Sequence, residues 1–311
     1  MSEQMPFIGR EDELLTIKSL LDDWGEKHIL CIHGPGGIGK TRLLREVNER
    51  FSKKDNARLR VLPILDFDDR RFHISRSLEL EIAKMLGEEV LDSYLNALLD
   101  LRKMETSGVS LPSLERQRES VRKAFLNNFN SILSEQRVVL LMDTTDAFED
   151  FIGTEVWEFI QNLILYTTNI FIVLAGRNTK EICHSVEVDL GIRARLLDLA
   201  PLSMADSQRY LEQRQRQLHI SLQPELAQKL LLQVQGHPIL IDLATSWLSR
   251  EQPIDWLLES SVQDLEQLSA EEREMFQREL EKNLVLHIAQ LRTSLDRLIL
   301  LLSRVYPLDR K

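Results

Sequence analysis

The segment Gly34-Pro35-Gly36-Gly37-Ile38-Gly39-Lys40-Thr41 constrains this chain more than any other, because it satisfies the pattern GxxxxGK[ST] at every fixed position. An apolar run, Ile29-Leu30-Cys31-Ile32, leads into it. Leu43, Leu44, Val47 and Phe51 then recur on one face of a helix that leaves it. Strand, glycine loop and helix is the context in which such a loop cradles phosphate. The glycines let successive backbone N–H groups turn inward around phosphate oxygens. The helix N-terminus adds the positive end of its dipole. Lys40 is placed to neutralise β- and γ-phosphates, and the Thr41 hydroxyl to ligate Mg²⁺. Residues 34–41, with Arg42 directly after them, form the expected nucleotide-binding set of a P-loop NTPase.

The rest of the chain reads as alternating helix and strand up to residue 200. Leu14, Ile17, Leu21 and Trp24 predict a helix over 11–24, with Glu11, Asp12 and Glu13 at its positive end. A second strand is expected over 59–67. Pro63 inside it cannot donate a ladder hydrogen bond, so it should lie at an edge. Helices are expected at 77–86 and 114–135, with a less defined helical stretch at 88–104 and a loop at 106–113. Val138–Met142 is a continuous apolar run ending in Asp143, as suits a strand buried on both faces of a parallel sheet. A helix at 154–167, a fourth strand at 170–175 and a short fifth at 196–199 complete a five-stranded parallel α/β sheet flanked by helices. After Pro201 only helices are expected, at 204–217, 224–235, 239–250, 254–268 and 270–290, with an apolar one at 294–305. The expected domains are 1–200 for nucleotide binding, 201–252 as a helical lid, and 253–311 as a helical linker with the start of a further domain. That the chain stops soon after this last apolar helix suggests a truncated chain, or a partner that completes the region.

A Mg²⁺–nucleotide site needs a hard oxygen ligand at the end of another buried strand, and Asp143 has that place. Asp146, three residues on, could orient the attacking water, or could be one acid of an acidic loop with Glu149 and Asp150. Arg177 follows the fourth strand. If that strand lies between the P-loop strand and the Asp143 strand, its permanently charged, forked guanidinium falls near the γ-phosphate. Lys40, Asp143, Asp146 and Arg177 are therefore the catalytic candidates, and Thr41 and Asp143 the metal-binding ones. The base should be adenine, because no guanine-reading [NT]KxD element follows the third strand. Ser52-Lys53-Lys54-Asp55 comes too early and Thr179-Lys180-Glu181 lacks the Asp.

Charge weighs against nucleic acid as a partner. Acids outnumber bases by 49 to 39, and the runs 42–50 and 209–216 mix their arginines with acids, Gln or apolar residues. They read as solvated helix faces. The two cysteines, Cys31 and Cys183, have no metal-ligand spacing and read as reduced core thiols. No segment reads as a clean membrane span and the N-terminus lacks a secretory signal, so a cytoplasmic location is expected.

Four further segments fall into one order. Phe7-Ile8-Gly9-Arg10-Glu11 resembles the opening element of many AAA+ and STAND ATPases. Leu141-Met142-Asp143-Thr144-Thr145-Asp146 looks like an extended Walker B with a second acid at plus three. Ala175-Gly176-Arg177 is similar to a sensor-1 strand end, and Gly236-His237-Pro238 to the GxP motif after a helical lid. Over about residues 7–245 the chain thus resembles the signal-transduction (STAND) ATPases, including the NB-ARC and NACHT groups. Its final apolar helix resembles the start of their winged-helix domain. The resemblance implies ATP or ADP with Mg²⁺ as ligands. It places Ile8 and Arg10 beside adenine and ribose, and Pro238 against the base, coupling the lid to nucleotide state. One position departs from it. Thr144 stands where many AAA+ motors carry a water-polarising Glu, and where STAND proteins often carry Gly or Asp.

The reading that follows is a slow ATP/ADP switch that self-associates or acts through effector and sensor domains outside this segment. An AAA+ machine such as a DNA loader, and a non-hydrolysing nucleotide-stabilised scaffold, remain alternatives.

Overall fold

The computed structural model describes residues 6–23, 27–52, 58–87, 91–148 and 150–249. The helices expected beyond residue 250, and the partial domain at 253–311, lie outside the described residues. The chain divides into two compact units. One comprises Glu11–Gly34 and Lys40–Leu199; the other holds residues 6–10, Pro35–Gly39 and the described part of the chain after Ala200.

The first unit is an α/β sheet in the spatial order β2-β4-β5-β1-β6, with β3 also on β4, and every pairing is parallel. The strands are β1 (His28–His33), β2 (Leu59–Val61), β3 (Leu65–Asp66), β4 (Arg137–Asp143), β5 (Ile170–Gly176) and β6 (Ala194–Asp198). β2 and β3 lie end to end on one side of β4, so six segments fill five strand positions. β4 and β5 are buried at all seven of their positions, as their unbroken apolar runs require. β6 is mostly exposed and forms one edge. The expected strand at 59–67 forms the other edge and is interrupted around Pro63. Leu62 still donates to the Val139 carbonyl at 3.0 Å, but the register slips by one residue between Val61↔Val139 and Leu65↔Met142.

The helices of this unit are α1 (Glu11–Asp22), α2 (Lys40–Ser52), α3 (Ser75–Leu86), α4 (Asp92–Thr106), α5 (Leu111–Glu135), α6 (Glu155–Tyr166) and α7 (Thr179–Asp189). Phe125, Phe129, Phe159, Phe151 and Trp157 join α5 and α6 to the sheet in one continuous buried core. Two expectations need correction. The loop foreseen at 106–113 is shorter, because Pro112 opens α5 from its first turn, where a missing N–H costs nothing. And α7 was not foreseen. Its apolar residues Ile182 and Val186 are few, and tertiary anchoring supports it: the Thr179 hydroxyl donates to the Ile32 carbonyl at 3.1 Å. Cys31 on β1 and Cys183 on α7 are buried free thiols, as the sequence suggested.

The second unit contains α8 (Met204–Leu218), α9 (Pro224–Val234) and α10 (Pro238–Leu248) around Leu211, Leu230, Val234, Leu240 and Ile241. Ser203 caps α8 by accepting from the Asp206 N–H at 3.1 Å. Pro224 and Pro238 open α9 and α10, and Gly236 separates them. No helix among the described residues is long and apolar enough to cross a membrane.

Candidate functional site

In a parallel sheet with alternating helices, ligands bind outside the carboxyl ends of the strands. β5 lies between β4 and β1, as the placement of Arg177 required. His33 pairs with Gly176, and Met142 with Leu174, so the three strands end together. Their ends gather Gly34, Lys40, Thr41, Asp143, Asp146 and Arg177 in the α/β unit.

Lys40 opens α2 and its Nζ donates to the Gly34 carbonyl at 2.6 Å, across the base of the loop. Burial lowers its pKa, opposed by the charges of Asp146 and Asp143 and assisted by Arg177. The other three catalytic candidates therefore all act on this ammonium. Arg42, in the first turn of α2, has its Nη2 3.4 Å from Glu46.

Asp143 is 2% exposed. Burial pushes its pKa up, and the nearby Asp66 carboxylate pushes the same way. The Thr41 hydroxyl, the Thr144 N–H and Lys40 oppose this. Oδ1 accepts from the Thr144 N–H at 2.9 Å. Although the Thr41 hydroxyl lies close, Oδ2 is buried without a well-formed hydrogen bond from a described residue. A buried carboxylate oxygen left over beside a hydroxyl suits a hard divalent cation such as Mg²⁺, which completes its shell with water and phosphate. No cluster of three or more His, Cys, Asp or Glu able to cage a metal exists among the described residues.

Asp146 lies in a 3₁₀ turn, Thr145–Ala147, directly after β4. Its Oδ1 accepts from the Arg177 N–H at 2.9 Å and its Oδ2 from Arg177 Nε at 2.5 Å. Burial would raise its pKa, but the Arg177 backbone and guanidinium outweigh it and hold the carboxyl below its ordinary value. The Thr145 hydroxyl donates to Asn178 Oδ1 at 2.6 Å, and Asn178 Nδ2 returns a bond to the Thr145 carbonyl at 3.2 Å. Gly176 is needed where these two strand ends meet. A Cβ there would lie 2.0 Å from Thr145 Oγ1.

The sequence reading did not single out Asp66. It stands opposite Asp143 in register, and its Oδ1 accepts from the Thr144 hydroxyl at 2.9 Å. The signal was available: like Asp143, it is an acid ending a strand.

The other unit holds the remaining candidates. Arg10 Nη2 donates to the Ile38 carbonyl at 3.2 Å, tying the Gly9-Arg10 turn to the loop segment 35–39. Gly37, at φ +73°, is packed so closely by Ile239 that a Cβ would lie 2.4 Å from Ile239 Cγ2. Ile239 follows Pro238, which is half-buried at the start of α10. Gly236, at φ +77°, accepts at its carbonyl a 2.9 Å bond from the Leu202 N–H. Ile8 is half-buried in the same unit.

A family model described as an AAA ATPase domain matches residues 6–164. No curated protein sequence is significantly similar to the chain. Among solved structures, the Walker-type ATPase PABY2304 of Pyrococcus abyssi aligns with 81% of this chain and 70% of its own, at 17% identity and a TM-score of 0.53. Drosophila ORC bound to DNA aligns with 82% of this chain and 64% of its own, at 15% identity and a TM-score of 0.51. The Aeropyrum pernix ORC2 protein, in ADPNP–ADP complexes, aligns with 86% of this chain and 74% of its own, at 13% identity and a TM-score of 0.46.

Proposed function

The chain belongs to the AAA ATPase domain family, and on that premise we propose that it binds Mg²⁺–ATP and hydrolyses it slowly, as a nucleotide-gated switch. The observation that carries this reading is the gathering of Lys40, Asp143, Asp146 and Arg177 at the ends of three adjacent strands, with Arg177 ion-paired to Asp146. Lys40 and the backbone of residues 34–39 bind the phosphates. Thr41 and Asp143 hold Mg²⁺, which when bound screens phosphate charge and fixes its geometry. Asp146 orients Arg177, whose remaining N–H donors reach for the γ-phosphate. Ile8, Arg10 and Pro238 take the adenine and ribose, and Arg42, directly after Thr41, joins the nucleotide-binding set. Thr144 in place of a glutamate favours slow turnover, so that the ATP and ADP states are long-lived and differ in self-association.

The ordered motifs at 7–11, 141–146, 175–177 and 236–238 support a signalling switch of the STAND kind. A second reading, a DNA-handling AAA+ machine, is favoured by the fold shared with Drosophila ORC bound to DNA. It sets aside the expectation, drawn from net charge, that nucleic acid is not a partner. Two measurements separate them. Chromatography of nucleotide released from purified, denatured protein should show ADP for a slowly exchanging switch. Duplex DNA should raise ATP turnover for a machine and leave a switch unaffected. A protein that releases guanine nucleotide would contradict both.

A further inference from the structure

The residue after Asp143 carries no charge, so the carboxylate that directs the attacking water has to come from elsewhere. We propose that it is Asp66, at the end of the neighbouring strand, and that Thr144 is the positioning residue that holds it. This rests on the reading of the site as one that hydrolyses ATP.

Among the described residues, the acids Asp143, Asp146 and Asp66 stand where β3, β4 and β5 end, and their bonding separates them. Asp143 is buried beside Thr41 and is the metal-side acid. Asp146 spends both oxygens on Arg177, one on its N–H and one on Nε. Asp66 is half-buried. The bonds it receives, from the Thr144 hydroxyl at 2.9 Å and the Asp68 N–H at 3.1 Å, both end on Oδ1. Oδ2 receives no hydrogen bond from any described residue, so it is the carboxylate oxygen left to accept from a water.

Its place follows from the backbone. Residues paired in register on adjacent parallel strands point to the same face, about 4.8 Å apart. Asp66 is the partner of Asp143, and the Phe67 N–H continues the ladder to the Asp143 carbonyl at 3.1 Å. This pairing exists because of the one-residue slip around Pro63. Had the register of β2 continued, Leu65 would stand opposite Asp143 and the acid would point to the other face. Bulges of this kind re-aim side chains next to active sites. Thr144 completes the device. It is held at φ 58°, ψ 44°, a left-handed conformation uncommon for a β-branched residue, and from there its hydroxyl reaches Asp66.

In the step this implies, a water accepted by Asp66 Oδ2 attacks the γ-phosphorus. The new P–O bond forms as the bond to the β,γ-bridging oxygen breaks, and ADP leaves with that electron pair. The proton lost by the water passes by way of Oδ2 to the phosphate released, so Asp66 is returned unchanged.

The test is Asp66→Asn, which keeps an Oδ1 acceptor for Thr144 and Asp68 and replaces only the free oxygen. With full-length protein and Mg²⁺–ATP, kcat should fall by about a hundredfold or more while the Kd for ATP changes by less than about threefold. Thr144→Val, which leaves Asp66 intact should Asp66→Asn fail to fold, should lower kcat by about tenfold at unchanged KM, and Thr144→Ser should restore it. Wild-type turnover in both Asp66→Asn and Thr144→Val overturns the proposal. So does loss of ATP binding in Asp66→Asn, which would make Asp66 part of the metal site. A wild-type protein that binds ATP without hydrolysing it refutes the hydrolytic reading itself, a result distinguishable from either variant outcome.

Discussion

Replacing Gly176 with alanine tests whether the ends of β4 and β5 meet as closely as described. The added Cβ would lie 2.0 Å from Thr145 Oγ1, about 1.4 Å short of ordinary contact, and 3.0 Å from both Asp146 Oδ1 and Asn178 Oδ1. Thr145 is fully buried, so its hydroxyl has no solvent to turn into. Moving it breaks the 2.6 Å bond to Asn178 and strands two polar groups. Overpacking of a tight site costs about 1–3 kcal/mol, and stranded buried partners about as much again. Gly176→Ala should therefore lose about 2–5 kcal/mol in urea unfolding. A double-mutant cycle isolates the contact. Thr145→Ala removes the oxygen that the Cβ meets, so adding Gly176→Ala to it should cost at least about 1 kcal/mol less than in the wild type. Because Arg177 follows directly, turnover should also fall by about tenfold or more. A Gly176→Ala protein within about 0.5 kcal/mol of wild type, or costs that simply add, would refute the close approach.

Other consequences run in opposite directions at neighbouring acids. Arg177 holds the Asp146 pKa below its unfolded value, so Asp146 contributes stability above about pH 3.9 that is lost as pH falls through the lower folded pKa. Asp146→Asn should be less stable than wild type at pH 7, and the gap should close in acid. Burial raises the Asp143 pKa, so its ionised form is a penalty above that folded pKa and none below the unfolded one. Asp143→Asn, without Mg²⁺ or nucleotide, should unfold at higher urea than wild type at pH 7, with the difference vanishing toward acid. Equal shifts of one sign in these two variants would contradict the assignment of their environments. In the helical unit, Gly236→Ala combines a left-handed φ with a Cβ 2.2 Å from the Leu202 carbonyl. It should cost about 1–3 kcal/mol or more in the same assay.

The sequence made legible whatever depends on periodicity and on local chemistry. The unbroken apolar runs at 138–142 and 170–175 announced the two central strands, and the glycine motif announced the turn from β1 into α2. The reading of Arg177 supposed that its strand lies between the other two, and β5 does lie between β4 and β1. What stayed hidden depends on pairing between distant segments. Asp66 faces Asp143 only because the register slips near Pro63, and a slip is a property of two strands together. The bond between Asp146 and Arg177 is likewise tertiary: the sequence showed an acid three residues after a strand, without showing which partner would take both its oxygens. α7 was missed because its hold on β1, through Thr179 and Ile32, leaves little periodic trace.

The most direct test of the account is an equilibrium titration of the purified protein with ATP and GTP in the presence of Mg²⁺, repeated with Lys40→Ala. Lys40 would make charge-assisted bonds to phosphate, and their loss costs about 1.5–3 kcal/mol, roughly tenfold to a hundredfold in affinity. Saturable binding of ATP in preference to GTP, weakened by that factor in Lys40→Ala, is the predicted result. Unchanged ATP affinity in Lys40→Ala, or preferred binding of GTP, would contradict the placement of an adenine nucleotide at the ends of β1, β4 and β5.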